Sequence, residues 1–176
     1  RLGPRGRIVG VDAPDGPQLR NTLHNRLITD AFVPGGGRPA TINDSNWKDF
    51  LQADGKPSSG IIVEGANLFL TPDARTNLFK AGCLIFKDSS ANKCGVICSS
   101  YEIQASMLLS EKAFLDVKQG FVEQVLAKLR EFAREEAELL MAEGRRHPTV
   151  PLTELSTTVS KVMNQAADAI RASIDR

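Results

Sequence analysis

The hydrophobic pattern of this chain changes period once, and that change limits the folds open to it. Up to about residue 90, short apolar runs rich in β-branched or aromatic residues ("RIVGV", "DAFV", "GIIVEG", "CLIF") alternate with stretches that read as helices or turns. After Ser100 the pattern is helical to the end. Phe114, Phe121, Val125, Leu129 and Phe132 recur at helical spacings, Gly144 and Pro148 interrupt, and Leu155, Val159, Val162, Ala166, Ile170 and Ile174 resume the rhythm. The first part reads as βαβ units. Their continuous apolar runs predict parallel strands covered on both faces. The second part predicts two long helices packed on the sheet or on each other. The expected organisation is residues 1–100 as part of an open α/β sheet and residues 101–176 as a helical segment packing on it.

The clearest single helix is "TPDARTNLFKAG". Thr71 can cap the first amides, Pro72 suits the first helical position, Asp73 complements the positive end of the dipole, and Gly82 can close the far end. Ligands of open parallel sheets bind at the carboxyl ends of the strands, so the loops there are the place to seek chemistry. "VPGGGRPATIND", "EGANLFLTPD" and "KDSSANKCGVICSS" each follow an apolar run. Each combines glycine, which permits close backbone approach, with Asn, Ser or Thr. One such loop is an ordinary turn, whereas three on one sheet edge point to a cleft.

Several functional classes are disfavoured. Lys plus Arg number 22 and Asp plus Glu 21, so no global field favours nucleic acid or an acidic membrane; the Arg1, Arg5 and Arg7 cluster reads as a solvated tip. No apolar run approaches the ~20 residues of a membrane span. His24 and His147 lack helical metal-ligand spacing, and Cys94 and Cys98 could give zinc at most two of four ligands, so no metal is expected. Neither G-x-S-x-G nor a P-loop occurs. "GGGRP" is not a dinucleotide fingerprint, because Pro39 stands where the helix would begin. Three cysteines, Cys83, Cys94 and Cys98, suggest reduced thiols and an intracellular setting.

"ITDAFVPGGGRPATINDSNWKDFL", "IIVEGANLFLTPDAR" and "IFKDSSANKCGVICSSYE", preceded by "LRNTLHNR", resemble successive blocks of the large NAD-specific glutamate dehydrogenases. The resemblance runs from about Leu19 onward and implies the second half of a Rossmann-like nucleotide-binding domain followed by C-terminal helices. It implies NAD as cofactor, with Pro34, Gly35 and Gly36 lying along the nucleotide, Asn67 meeting its nicotinamide half and Asn92 beside the nicotinamide. It places Val96 and Ser99 at the amino-acid substrate, the serine hydroxyl reaching the side-chain carboxylate of L-glutamate. Related dehydrogenases for leucine, valine or phenylalanine are expected to carry an apolar residue at the Ser99 position. The family more often has glycine where this chain has Cys94.

The catalytic lysine and aspartate of such an enzyme, and its glycine fingerprint, match nothing here, so no catalytic residue is expected in this chain. The reading is a carboxy-terminal fragment that needs an upstream part of the same polypeptide and forms a homo-oligomer when intact. By itself it should neither turn over glutamate nor hide its sheet edge and apolar face, and should self-associate. The implied compartment is cytoplasmic or mitochondrial. The alternative is a non-catalytic α/β module that binds a nucleotide or a protein partner with the same loops.

Overall fold

A computed structural model describes residues 13–174. The run "RIVGV" and the arginine cluster at the start lie outside these residues. Three strands, β1 (Thr29–Phe32), β2 (Ser59–Val63) and β3 (Leu84–Phe86), form a parallel sheet in the order β1-β2-β3. The register pairs Phe32 with Ile62 and Ile62 with Ile85. Two short helices, α1 (Gly16–Asn21) and α2 (Leu23–Arg26), precede β1, and one 3-10 turn (Trp47–Phe50) lies in the β1–β2 connection. Helix α3 (Pro72–Lys80) joins β2 to β3. Four further helices complete the chain: α4 (Asp88–Ala91), α5 (Lys93–Leu108), α6 (Glu111–Arg146) and α7 (Leu152–Ile174). This is an α/β architecture with part of a Rossmann-like parallel sheet, as the sequence predicts.

Local chemistry explains α3. Thr71 Oγ1 accepts from Ala74 N at 3.2 Å, Pro72 opens the helix, and Gly82 turns the chain at φ +93°, a conformation that costs a side chain dearly. One face of the helix buries Ala74 and Leu78 against Ile62 and Ile85 of the sheet. Ile42, Phe50, Phe69, Leu70 and Cys83 complete this core. Cys83 donates its thiol to Ser59 O at 3.4 Å, and burial pushes its pKa up to about 12, so it serves as an apolar filler rather than a nucleophile.

The expectation of strands covered on both faces holds for β3 only. Ile85 enters the first core, while Leu84 and Phe86, on the opposite face, pack against Leu140, Leu152 and Leu155 of α6 and α7. Helix α7 lies beside β3, and the corresponding face of the neighbouring strands, at Ala31 and Ile61, stays exposed. The helical segment also departs from the expected pair. Helix α5 starts at Lys93 and runs through residue 100, so the period change lies within a helix. Gly144 does not end α6: a Cβ there would come within 2.7 Å of Leu152 Cδ2, so the missing side chain is the seat of Leu152 in the turn to α7. At 1.5 Å per residue, α6 is about 54 Å long and reaches well past the sheet. Lys93 to Glu136 at 2.8 Å ties its C-terminal half to the start of α5.

Candidate functional site

The three stretches predicted as cleft loops all lie at the carboxyl ends of the strands, but the third is mostly helical, made of α4 and the start of α5. From β1 the chain leaves through Pro34, Gly35 and Gly36. From β2 it leaves through Glu64, Gly65, Ala66 and Asn67, and from β3 through α4 into α5. Pro34 O accepts from Ala66 N at 2.7 Å, and a Cβ on Gly65 would stand 3.0 Å from that same oxygen. Glycine at 65 is therefore what lets the first two loops touch. The third joins through Asn92, whose Nδ2 donates to Asn67 Oδ1 and, at 3.3 Å, to Gly65 O.

Asn92 precedes the first residue of α5, and Val96 and Ser99 follow it at four- and seven-residue spacing, which sets all three on one side of the helix. Val96 is 73% exposed and Ser99 is exposed beside it. The neighbouring serines take other tasks. Ser100 Oγ donates to Val96 O within the helix, and Ser90 Oγ shares a buried hydrogen bond of 2.6 Å with Ser156 Oγ of α7. Neither α4 nor α5 has a side-chain cap, so these serines do not serve as caps of those helices. The structure thus gathers Pro34, Asn67 and Asn92 into one hydrogen-bonded edge, with Gly35 and Gly36 beyond Pro34 and Val96 and Ser99 on the adjoining helix face. Cys94, unexplained in the sequence, donates its thiol to Leu129 O at 3.6 Å and so faces α6.

Beneath this edge lies a buried ionic cluster that the sequence did not announce. Glu64, fully buried, accepts from Arg75 Nε at 2.8 Å and from Arg75 Nη2 at 3.1 Å. The same guanidinium reaches Asp88 Oδ1 at 3.4 Å. The carboxylates also hold backbone: Glu64 Oε1 accepts from Leu70 N at 3.1 Å, Asp88 Oδ2 from Leu68 N at 2.8 Å and Asp88 Oδ1 from Ser89 N at 2.8 Å. Burial pushes the Glu64 carboxyl above its usual range, opposed chiefly by the Arg75 hydrogen bonds. Leu68 sits at φ +55°, a left-handed conformation that costs a non-glycine residue ~1–3 kcal/mol, and the bonds on both sides of its peptide unit sustain it. Ala40, at the same φ, donates its N–H to Leu68 O at 2.7 Å.

A second feature missed in the sequence is a hollow of about 830 Å³ flanking Gly35–Gly37, walled by Arg20, His24, Phe32, Arg38 and Phe69. His24 stacks on Phe32 with ring centroids 5.1 Å apart. Desolvation there holds its pKa below the ordinary 6.5. The unfolded chain then binds the proton more readily than the folded one. The stability His24 contributes is complete above its unfolded pKa of 6.5 and is lost as pH falls through that value towards the lower folded pKa. Because the ring is only half-buried, the expected slope is well under the ~1.4 kcal/mol per pH unit of a single proton. Denaturation midpoints measured down this range should fall less for His24→Phe than for the parent chain. Parallel curves would reject the assignment.

A parallel sheet whose carboxyl edge carries a glycine-lined, asparagine-bridged cleft is the architecture of a Rossmann-like α/β protein. Comparison with known proteins narrows the class. Residues 11–146 match the family model described as Glutamate/Leucine/Phenylalanine/Valine dehydrogenase, and the chain belongs to that family. It is 37% identical over 184 residues to the NAD-specific glutamate dehydrogenase of Neurospora crassa, an alignment covering 97% of this chain and 17% of that protein. It is 38% identical over 168 residues to the probable NAD-specific glutamate dehydrogenase of Schizosaccharomyces pombe, covering 89% and 15%. To glutamate dehydrogenase 2 of Dictyostelium discoideum it is 35% identical over 197 residues, covering 98% and 19%. The chain therefore spans less than a fifth of the length of these relatives. Among the described residues no helix is long and apolar enough to cross a membrane.

Proposed function

We propose that this chain forms the cofactor- and substrate-facing edge of an NAD-dependent glutamate dehydrogenase, which deaminates L-glutamate oxidatively to 2-oxoglutarate and ammonia. The observation that carries this reading is the convergence of Pro34, Gly65 and Asn67 with Asn92, Val96 and Ser99. Glycines at 35, 36 and 65 leave room for a flat ring and a ribose against the backbone. Asn67 and Asn92 bring amide groups, able to donate and accept, to the same edge. These residues fit NAD, which when bound supplies the acceptor for the hydride leaving the substrate α-carbon.

In this reading Pro34, Gly35 and Gly36 line the nucleotide through their main chain, and Asn67 and Asn92 orient the nicotinamide end. Val96 provides an apolar wall, and the Ser99 hydroxyl donates to the γ-carboxylate of glutamate. Small side chains permit face-to-face approach of the two reactants and exclude water when the site closes. The lysine and aspartate that move protons come from another part of the polypeptide, so no catalytic residue is assigned here. Residues 1–100 then form the second half of the nucleotide-binding domain and residues 101–176 its helical extension. The intact enzyme is a homo-oligomer in an intracellular compartment, cytoplasmic or mitochondrial.

The test uses the full-length polypeptide that contains this chain, assayed for NADH formation with glutamate. The parent should turn over glutamate in preference to leucine, and Asn67→Ala and Asn92→Ala should each lower kcat/KM by about 10-fold or more, the scale of one lost orienting hydrogen bond. A parent without glutamate-dependent NADH formation, or asparagine variants with parent-like kinetics, would refute the proposal.

A further inference from the structure

We infer that Glu64, Arg75 and Asp88 act together as positioning residues for the Asn67–Asn92 pair; this rests on the reading of that pair as the nicotinamide-facing contact. Asn67 lies in a loop whose entry residue is Glu64, and the carboxylate of Glu64 also accepts from Leu70 N at the loop's exit. The loop is closed on itself by one side chain. Its middle is held at Leu68 N by Asp88, which opens α4, four residues before Asn92. Arg75, projecting from α3, bridges the two carboxylates: its Nε and Nη2 grip Glu64, and Nη2 also reaches Asp88. The two asparagine-bearing segments are therefore tied twice beneath the pair, by Asp88 on Leu68 N and by one guanidinium shared between the carboxylates.

Burial makes the arrangement demanding. Relative exposure is 0% for Glu64 and 7% for both Arg75 and Asp88, so water cannot replace a lost partner. Arginine is required by shape as well as charge. A planar fork can serve one carboxylate with two parallel bonds and a second at its edge, whereas a lysine ammonium is a point charge on a flexible stem. A cluster serving stability alone would need no link to the loop interior. Here the carboxylates accept two hydrogen bonds from the loop backbone, at Leu68 N and Leu70 N, and two from Arg75, whose guanidinium also pairs with Asp88 at 3.4 Å.

The experiment is a double-mutant cycle in the full-length protein, with kcat/KM for glutamate as readout and the denaturation midpoint recorded alongside. Arg75→Lys keeps the charge but loses the fork, and is expected to lower kcat about 10- to 100-fold, the scale of a misplaced reacting group, with a smaller change in KM for NAD. In an Asn67→Ala background the same substitution should cost less than about 3-fold, because the pair whose geometry it sets is already broken. Asp88→Asn, which retains size and an acceptor oxygen, is carried through the same cycle and held to the same criterion. Equal losses in both backgrounds, or a lowered midpoint with unchanged kcat/KM, would overturn the inference. If Asn67→Ala alone leaves kcat/KM unchanged, the reading of the site fails instead, and the two failures are thereby told apart.

Discussion

Phe50→Ala is expected to lower the stability of the chain by ~3–5 kcal/mol, enough to remove a large share of the stability of a typical domain. The ring is fully buried and belongs to an aromatic group with His24, Phe32 and Phe69; its centroid lies 5.9 Å from that of Phe32 and 6.2 Å from that of His24. Truncation loses the transfer free energy of the ring and leaves a cavity whose walls cannot fully collapse, because Ile62 is fixed in the central strand and Leu70 N is held by the Glu64 carboxylate. The backbone at the same position is engaged too, Phe50 O accepting from Ser58 N at 2.8 Å next to the start of β2. The effect should therefore spread to the β1–β2 connection, and through Phe32 to the glycine loop that leaves β1. Urea denaturation of the parent, Phe50→Leu and Phe50→Ala checks this. Phe50→Leu should lie between the other two, and a loss below about 1 kcal/mol for Phe50→Ala would show that the ring is not a core anchor.

The second large effect concerns Ser99. If its hydroxyl donates to the substrate carboxylate, Ser99→Ala removes a charge-assisted hydrogen bond of ~1.5–3 kcal/mol, equivalent to about 10- to 150-fold in kcat/KM for glutamate. The loss should be selective. Norvaline, which has no side-chain carboxylate, never makes the contact, and its turnover should hold or rise with the added apolar surface. NAD binding should stay close to that of the parent. Stability should also be little altered, because Ser99 is exposed in the middle of α5, where alanine is the better helix former. The full-length protein assayed on both substrates decides the matter: equal losses on glutamate and norvaline would return Ser99 to the scaffold.

What could be read from the chain without its fold was whatever depends on neighbours along it. Thr71, Pro72 and Gly82 announce α3 because capping, proline geometry and left-handed turns act within a few residues. Phe114, Phe121, Val125 and Leu129 announce a helix because a 3.6-residue period is a local property, and each is at least partly buried. The placing of Asn92, Val96 and Ser99 on one side of α5 was not legible in this way, because their stretch, rich in Ser, Asn and Gly, reads as a loop. The places where the strands end were visible too, since each of the three stretches begins where an apolar run stops, although the third proved mostly helical.

Tertiary structure decided the rest, for reasons that spacing cannot carry. Glu64 reads as a charge ending a strand, Arg75 as a polar position in a helix and Asp88 as a helix-start acid. Only the folding of β2, α3 and β3 onto one another brings them together, and burial then turns three ordinary surface residues into an interdependent cluster. Ile61 was expected to be covered on the strength of its apolar run, yet α7 packs beside β3 and leaves it exposed. Gly144 looked like a helix end because glycine is a weak helix former, but contact with Leu152 outweighs that propensity. The sequence by itself determined the class of fold, the helix faces and the glycine-bearing turns at the strand ends, all written in local periodicity and turn preference. The ionic support beneath the asparagines and the side of the sheet left open depend on contacts between residues distant in sequence, which only packing in three dimensions creates.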